Sequence, residues 1–370
     1  MKVIFNASCI KQPLTGIGHF AYQNLQELRK LLADDLIAYQ FNEPSGNATT
    51  TQGFKSLVMR LPFSYLLNRL LKNYRFKKFL PKSAHVYLEP NFILFKTRLP
   101  SVPCIYDLSF IRHPETHPAY RVKIFKKHLQ NTINQAKSIV TISEFSKQEL
   151  IDVFKVSAEK IYVAHCGASQ HFKPRSELQT LAILNEYSLT YRKFILVIGT
   201  FEPRKNLLRT CLAYAELPDE IRKEYPLIIC GATGWGNIEL PKQVAALINQ
   251  DIRFLKYVPD TALHELTAAA KLSCYTSIYE GFGLPVLEAM QSGTPVITAN
   301  ISSMPEVAGD AAILVNPYAV NEITSAMQKI ISSAALCQEL SAKGLVQAQK
   351  FNWKNCAQVI LNACRSAAEL

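Results

Sequence analysis

The sequence predicts an α/β protein built from two doubly wound domains that face each other across a cleft. Three observations lead there. Its 370 residues exceed the usual size of one core. Short apolar runs alternate with helical patterns along the whole chain. The charge is also divided: residues 1–175 hold 25 Lys and Arg against 11 Asp and Glu, and residues 176–370 hold 16 against 18. All the excess positive charge, +12 overall, therefore comes from the first half, as expected of two domains with different partners.

The elements follow in order. A strand at Lys2–Asn6 leads through a loop containing TGIGHF into a helical pattern from Phe20 to Leu32. Apolar runs at Ala84–Leu88, Val102–Tyr106 and Ser138–Ile142 alternate with helical stretches at Tyr120–Ala136 and Glu144–Phe154, and the run Lys160–Ala164 closes this half. FILVIGT (Phe194–Thr200) opens the second half as a fully buried strand type, followed by EPRKNL and a helix reaching Glu216. PLIICG, a helix near Gln243–Gln250, IRFLKYV, the helix Thr261–Ala270, KLSCYTS and PVITA continue the alternation. From Asn321 the tail is helical, broken at Phe351–Trp353.

Composition narrows the class. Hydrophobic residues make up 48% and charged residues 19%, the balance of a soluble globular protein. No apolar run approaches the ~20 residues needed to span a bilayer, and the start lacks the long apolar core of a signal peptide. Nine scattered cysteines without a C-x-x-C pair read as reduced thiols, and the expected location is cytoplasmic.

Ligands of doubly wound sheets bind beyond the carboxyl ends of the strands. Two loops there carry chemistry. In YEGFGLPVLEA, Gly281 and Gly283 should leave the backbone uncovered just before a helix that Pro285 can open. Amides at a helix start attract phosphate or sugar oxygens. Glu288, one turn into the helix, offers two acceptor oxygens that match the hydroxyls of a ribose, and Glu280 could accept from a second polyol. An ordinary strand–turn–helix with an exposed glutamate would show the same spacing. In GTFEPRKNL, Arg204 and Lys205 fall where strand opens into helix. They suit a diphosphate leaving group, whose growing charge needs stabilising. A solvated basic pair is the plainer reading. The sequence contains no D-x-D and no cluster at metal-ligand spacing, so no metal or other cofactor is expected. TGIGHF lacks the third glycine of a dinucleotide fingerprint.

Together with PVITANISSMPEVAGDAAILVNP, YDLSFIRHPE and TISEFSKQELIDVFKVSAEKI, these segments resemble, in order, the family-four retaining glycosyltransferases of GT-B fold, most closely the O-antigen-type mannosyltransferases. The resemblance implies two Rossmann-like domains, an acceptor-binding residues 1–175 and a nucleotide-sugar-binding residues 176–350, with residues 351–370 forming a helix that crosses back to the first. It implies a hexose, best mannose from GDP-mannose, moved with retention onto a lipid-linked or polysaccharide acceptor, as in lipopolysaccharide synthesis. Glu280, Lys205, Arg204 and Asp107 would be catalytic. Glu288 would hold the donor ribose, Glu280 the sugar hydroxyls, and Gly281, Phe282, Gly283 and Leu284 would line sugar and phosphates. Gly16 would let the first domain approach the donor phosphate, Val258 would meet the nucleobase, and Gly199, Thr200, Arg204 and Lys205 would complete the donor site. Many members carry arginine where Thr200 stands, and a sugar-contacting histidine where Tyr106 precedes Asp107.

Residues 54–82 hold eight Lys and Arg, no acid, and interleaved leucines and aromatics. Such a stretch fits peripheral contact with the inner face of the cytoplasmic membrane, and equally a core helix pair with solvated basic faces. Nucleic acid is not expected, since no recognition motif accompanies the charge. Two other functions remain: a nucleotide-sugar epimerase on the same scaffold, which would consume donor without an acceptor, and a non-enzymatic basic module for membrane or nucleic acid, which would leave the glutamate and Arg204/Lys205 constellations unexplained.

Overall fold

The computed structural model describes every residue except 12, 13, 15, 42–61, 201, 232–250, 256 and 370. Strand β1 (Val3–Asn6) is buried along its whole length, which is why it reads as an unbroken apolar run. It is followed by α1 (Gly16–Leu32), β2 (Leu36–Tyr39), α2 (Pro62–Phe79), β3 (Val86–Glu89) and β4 (Ser101–Pro103). Then come the short α3 (Ser109–Arg112), α4 (Ala119–Gln135), β5 (Ile139–Thr141), α5 (Glu144–Phe154) and β6 (Ile161–Val163). The strands are parallel in the order β2-β1-β3-β4. The β5–β6 pair continues the sheet: Cys104, just past β4, bridges to Val140, and the Ile105 N–H donates to the Val140 carbonyl at 2.8 Å. The order therefore reverses between β1 and β3.

The second half begins with α6 (Glu177–Glu186), whose start is fixed by a reciprocal capping box between Ser176 and Gln179. It continues through β7 (Ile195–Ile198), α7 (Leu207–Ala215), α8 (Asp219–Glu224), β8 (Leu227–Cys230), β9 (Ile252–Phe254), α9 (Asp260–Ala269) and β10 (Leu272–Tyr275). It ends with α10 (Leu284–Gln291), β11 (Val296–Ala299), α11 (Met304–Ala308), β12 (Ala312–Val315), α12 (Val320–Ser332), α13 (Ala334–Ala348) and α14 (Trp353–Glu369). All six strands are parallel, in the order β12-β11-β10-β7-β8-β9. The reversal falls between β7 and β10, where a doubly wound sheet opens a crevice for ligands. The helix expected near Gln243–Gln250 lies outside the described residues.

Helix α14 buries Cys356, Ala357, Ile360, Leu361, Cys364 and Ala367, a helical-period stripe, against α1, β3 and β4 of the first half. The chain thus crosses between the halves twice. A Cβ on Gly167 would lie 2.6 Å from the Trp353 nitrogen, so only glycine lets the two crossings pass this closely. One apolar core runs from the first sheet through Phe282, Val286, Leu287 and Met290 to α14, and two others cover the faces of the second sheet.

Candidate active site

The crevice between β7 and β10 is built by the residues that leave each strand. After β7, a single 3-10 turn (Pro203–Lys205) ends at Asn206, whose left-handed backbone (φ 58°) turns the chain into α7. Its side-chain amide, nearly fully buried, donates to the carbonyls of Thr276 at 3.1 Å and Pro317 at 2.6 Å, tying the turn to the end of β10. The turn aims both cations across the crevice at Glu280. Lys205 Nζ donates to Glu280 Oε1 at 2.6 Å, and Arg204 Nη1 donates to Oε2 at 3.0 Å. The Tyr275 hydroxyl also donates to Oε1, at 2.9 Å. Arg204 reaches further, from Nε to Glu202 Oε2 at 3.0 Å and from Nη1 to the Tyr279 carbonyl at 3.2 Å.

Glu280 is 8% exposed. Burial would raise its carboxyl, but the charges of Arg204 and Lys205 outweigh that and hold it down at about 2. The same attraction, from Glu280 first and then Asp107 and Glu202, overcomes burial at Arg204 and raises the guanidinium. Glu280 is anchored at its backbone as well: its N–H donates to Ser302 Oγ at 2.9 Å, and its carbonyl accepts from Ser302 and Ser303.

Beyond Glu280 the loop departs from expectation in one respect. Gly281 is not open to solvent. A Cβ there would sit 2.2 Å from the Tyr106 carbonyl oxygen, so its glycine serves close contact between the two halves. Phe282 is buried in the shared core, beside Phe351. Gly283 takes φ 102° to start α10. The N–H groups of Gly281, Phe282, Gly283 and Leu284 nevertheless have no hydrogen-bond acceptor among the described residues. They form an uncommitted set of donors at the helix start. On α10, burial and the nearby charge of Asp260 push the Glu288 carboxyl up to about 7.

The first half meets this loop directly. Asp107 Oδ1 accepts the Ser109 N–H at 2.8 Å, and its charge bears on Arg204 and on His117. His117 stacks on Phe110 and contacts Ser109 Oγ at 3.0 Å. Glu306 of α11 accepts the N–H groups of Glu144 at 2.9 Å and Phe145 at 3.2 Å, capping α5 of the opposite half, and contacts His165 Nε2 at 2.6 Å. A cavity of about 850 Å³ between α1, residues 168–171 and the start of α14 is lined by none of these site residues. Among the described residues no three His, Cys, Asp or Glu side chains converge as a metal site would require.

Comparison with known proteins gives the family of the chain. The family model described as glycosyl transferases group 1 matches residues 185–346. The O-antigen chain mannosyltransferase B of Escherichia coli is 36% identical, over 98% of this chain and 99% of its own. This chain belongs to the group 1 glycosyltransferases. The O-antigen chain mannosyltransferase RfbU of Salmonella typhimurium is 26% identical over 89% of this chain and 90% of its own. Among solved structures, Anabaena HepE in complex with UDP-glucose superposes with a TM-score of 0.72 at 18% identity, covering 99% of this chain and all of that one. That likeness shows the GT-B fold of two Rossmann-like domains.

In this glycosyltransferase the structure brings Arg204, Lys205, Glu280 and Asp107 together, with Gly199 and Thr200 at the end of β7. The Thr200 hydroxyl donates to Glu202 at 3.0 Å, so it orients the partner of Arg204. The Gly199 carbonyl requires glycine at Gly231, where a Cβ would lie 1.9 Å from its oxygen, whereas a Cβ on Gly199 itself would meet only the Lys205 side chain at 3.7 Å. Gly16 is the first residue of α1, exposed, with open space around its Cα. Val258 is nearly buried ahead of α9. Tyr106 is buried, with its ring against Phe20 and Phe92 and its hydroxyl donating to the Pro90 carbonyl. Sequence reasoning missed Glu202, Tyr275, Ser302, Ser303 and His117. Only Glu202 had a signal, its charge two residues before Arg204.

Proposed function

We propose that this glycosyltransferase moves mannose, with retention, from GDP-mannose to a growing O-antigen-type saccharide, and that it does so without a metal ion. The reaction class is supported by one arrangement above all: two cations bound to Glu280, whose next four residues carry amide N–H groups without an acceptor among the described residues, at the start of α10. A diphosphate seated on those amides would find positive charge already in place as its leaving-group charge grows. The mannosyl and O-antigen assignments are supported by the names of the full-length relatives.

In this reading Glu288 holds the donor ribose and Val258 and Gly16 flank the nucleotide. Glu280 keeps one lone pair of Oε2 for a sugar hydroxyl, since Oε1 already accepts two donors. Lys205 and Arg204 stabilise the departing diphosphate, and its oxygen takes the acceptor's proton. Residues 1–175 receive the acceptor. Helix α2 presents Leu70, Leu71 and Tyr74 to solvent beside exposed Arg75, Lys77 and Lys78, which suits the inner face of the cytoplasmic membrane, where a lipid-linked acceptor would lie. Among the described residues no helix is long and apolar enough to cross a membrane.

A thermal-shift panel of GDP-, UDP- and dTDP-sugars, run in the presence of chelator, tests the donor. GDP-mannose should raise the melting temperature by mass action and the others should not. Stabilisation by UDP-sugars alone would overturn the mannosyl assignment, and a response lost with chelator would overturn the metal-free one. An epimerase would turn over donor with no acceptor present.

A further inference from the structure

We propose that Tyr279 and Glu149 are positioning residues for the transfer, joining the Asp107 loop of one domain to the Arg204–Glu280 cluster of the other through a single phenol hydroxyl. Tyr279 belongs to the second half, yet its side chain is surrounded by the first. Its hydroxyl accepts the Leu108 N–H at 2.9 Å and donates to the Glu149 carboxylate, and its ring lies against His113 and Phe145. Glu149 is held from the other side by Arg112, Nε to Oε1 at 2.7 Å. Tyr279 is 3% and Glu149 7% exposed, so these bonds compete little with water.

The backbone of the same residue serves the second domain. The Tyr279 carbonyl accepts from Arg204 Nη1 at 3.2 Å, and the next residue is Glu280. Leu108, in turn, directly follows Asp107. One residue therefore sets two catalytic loops against each other across the cleft. The side-chain hydrogen bonds of Tyr279 all cross the domain boundary, so neither domain's own fold depends on them. They form only when the halves are together, which is when the site is complete.

This rests on the glycosyl-transfer reading, and the test separates the two. Wild type, Tyr279→Phe and Glu149→Gln are compared for release of nucleoside diphosphate in the presence of a synthetic mannoside acceptor, using whichever nucleotide sugar the thermal-shift panel selects. Failure of GDP-mannose in that panel strikes the donor assignment alone. Tyr279→Phe should lower kcat on the order of tenfold to a hundredfold, the scale of a hydrogen bond to a charged group. The KM for donor and the GDP affinity by calorimetry should stay near wild type, while the melting temperature falls by a few degrees because two enclosed groups lose a partner. Glu149→Gln, which can still accept from the hydroxyl, should fall between. Should Tyr279→Phe not fold, Glu149→Gln is judged by the same split. Wild-type kcat in the variant, or a kcat loss matched by equal losses of GDP affinity and stability, would overturn the proposal.

Discussion

At the residue scale, the site is a balance of charge that the sequence showed only in part. The spacing from Glu280 to Glu288 and the Arg204–Lys205 pair were visible because each follows a buried strand. That Arg204 and Lys205 both bind Glu280 was not visible, since the turn at Asn206 that aims them depends on carbonyls some 70 and 111 residues away. Replacing Glu280 by Ala should leave enclosed Lys205 without its carboxylate and Arg204 with Glu202 alone. A destabilisation of about 3–5 kcal/mol is expected in urea unfolding, together with loss of transfer. Because Glu280 is depressed to about 2, the stability it supplies is present above the ordinary glutamate range and is lost as pH falls toward 2. Glu288 behaves in the opposite sense. Its carboxyl, raised to about 7, is neutral in the empty site below that pH, while a ribose acceptor role needs the carboxylate. GDP affinity by calorimetry should therefore strengthen from pH 6 to pH 8, approaching about tenfold per unit on the acid side, where binding releases one proton. Glu288→Gln should flatten the profile. A flat wild-type profile would reject the ribose role.

At the scale of elements, most helices and inner strands were legible from period and burial, while α6, in a stretch that reads as a polar connection, and the short α8 were not. Helix α5 runs over Glu144–Phe154 as the pattern predicts, because Ser143 caps it and Lys155 ends it in a left-handed conformation. Strand β2 escaped notice. LIAY is apolar but only four residues long, and at the sheet edge only its last residue, Tyr39, is buried. β12 is similarly half-covered at the other sheet's edge. The glycines of the α10 loop were read as an opening for ligand, whereas Gly281 serves a contact between domains that no local pattern reveals. Gly281→Ala would place a methyl 2.2 Å from the Tyr106 carbonyl oxygen, backbone against backbone, with no flexible side chain to yield. The variant should keep its secondary structure by circular dichroism and lose at least about tenfold in kcat, since a shift near 1 Å suffices for larger losses. Wild-type turnover in Gly281→Ala would show that the two halves need not meet at this point.

At the scale of the whole molecule, the two domains are joined asymmetrically. Both chain crossings pack at Gly167 and Trp353, while on the cleft side Tyr279, Gly281 and Glu306 reach into the first half. The charge division acquires a physical meaning here: the near-neutral second half gathers Arg204 and Lys205 on Glu280 at the cleft, and the first half presents exposed Arg75, Lys77 and Lys78 on one helix. Helix α2 is where this is most concentrated. Phe76 turns inward onto Tyr39 and Tyr87, which fixes the helix to the sheet. The opposite side shows Leu70 at 57%, Leu71 at 45% and Tyr74 at 56% exposure, with Lys78 over the Tyr74 ring. Apolar groups left in water beside a row of cations are costly unless an anionic, partly apolar surface covers them. Sedimentation with vesicles should show binding to those containing anionic phospholipid and little to purely zwitterionic ones. The binding should weaken with salt as the Debye length shortens. Replacing Leu70, Leu71 and Tyr74 by serine should reduce it while leaving the salt dependence of the remainder. Substituting Lys77 and Lys78 by Gln should instead lower that dependence. No binding at low salt would return α2 to the role of a core helix with a solvated face, and the acceptor would then have to reach the enzyme away from the bilayer.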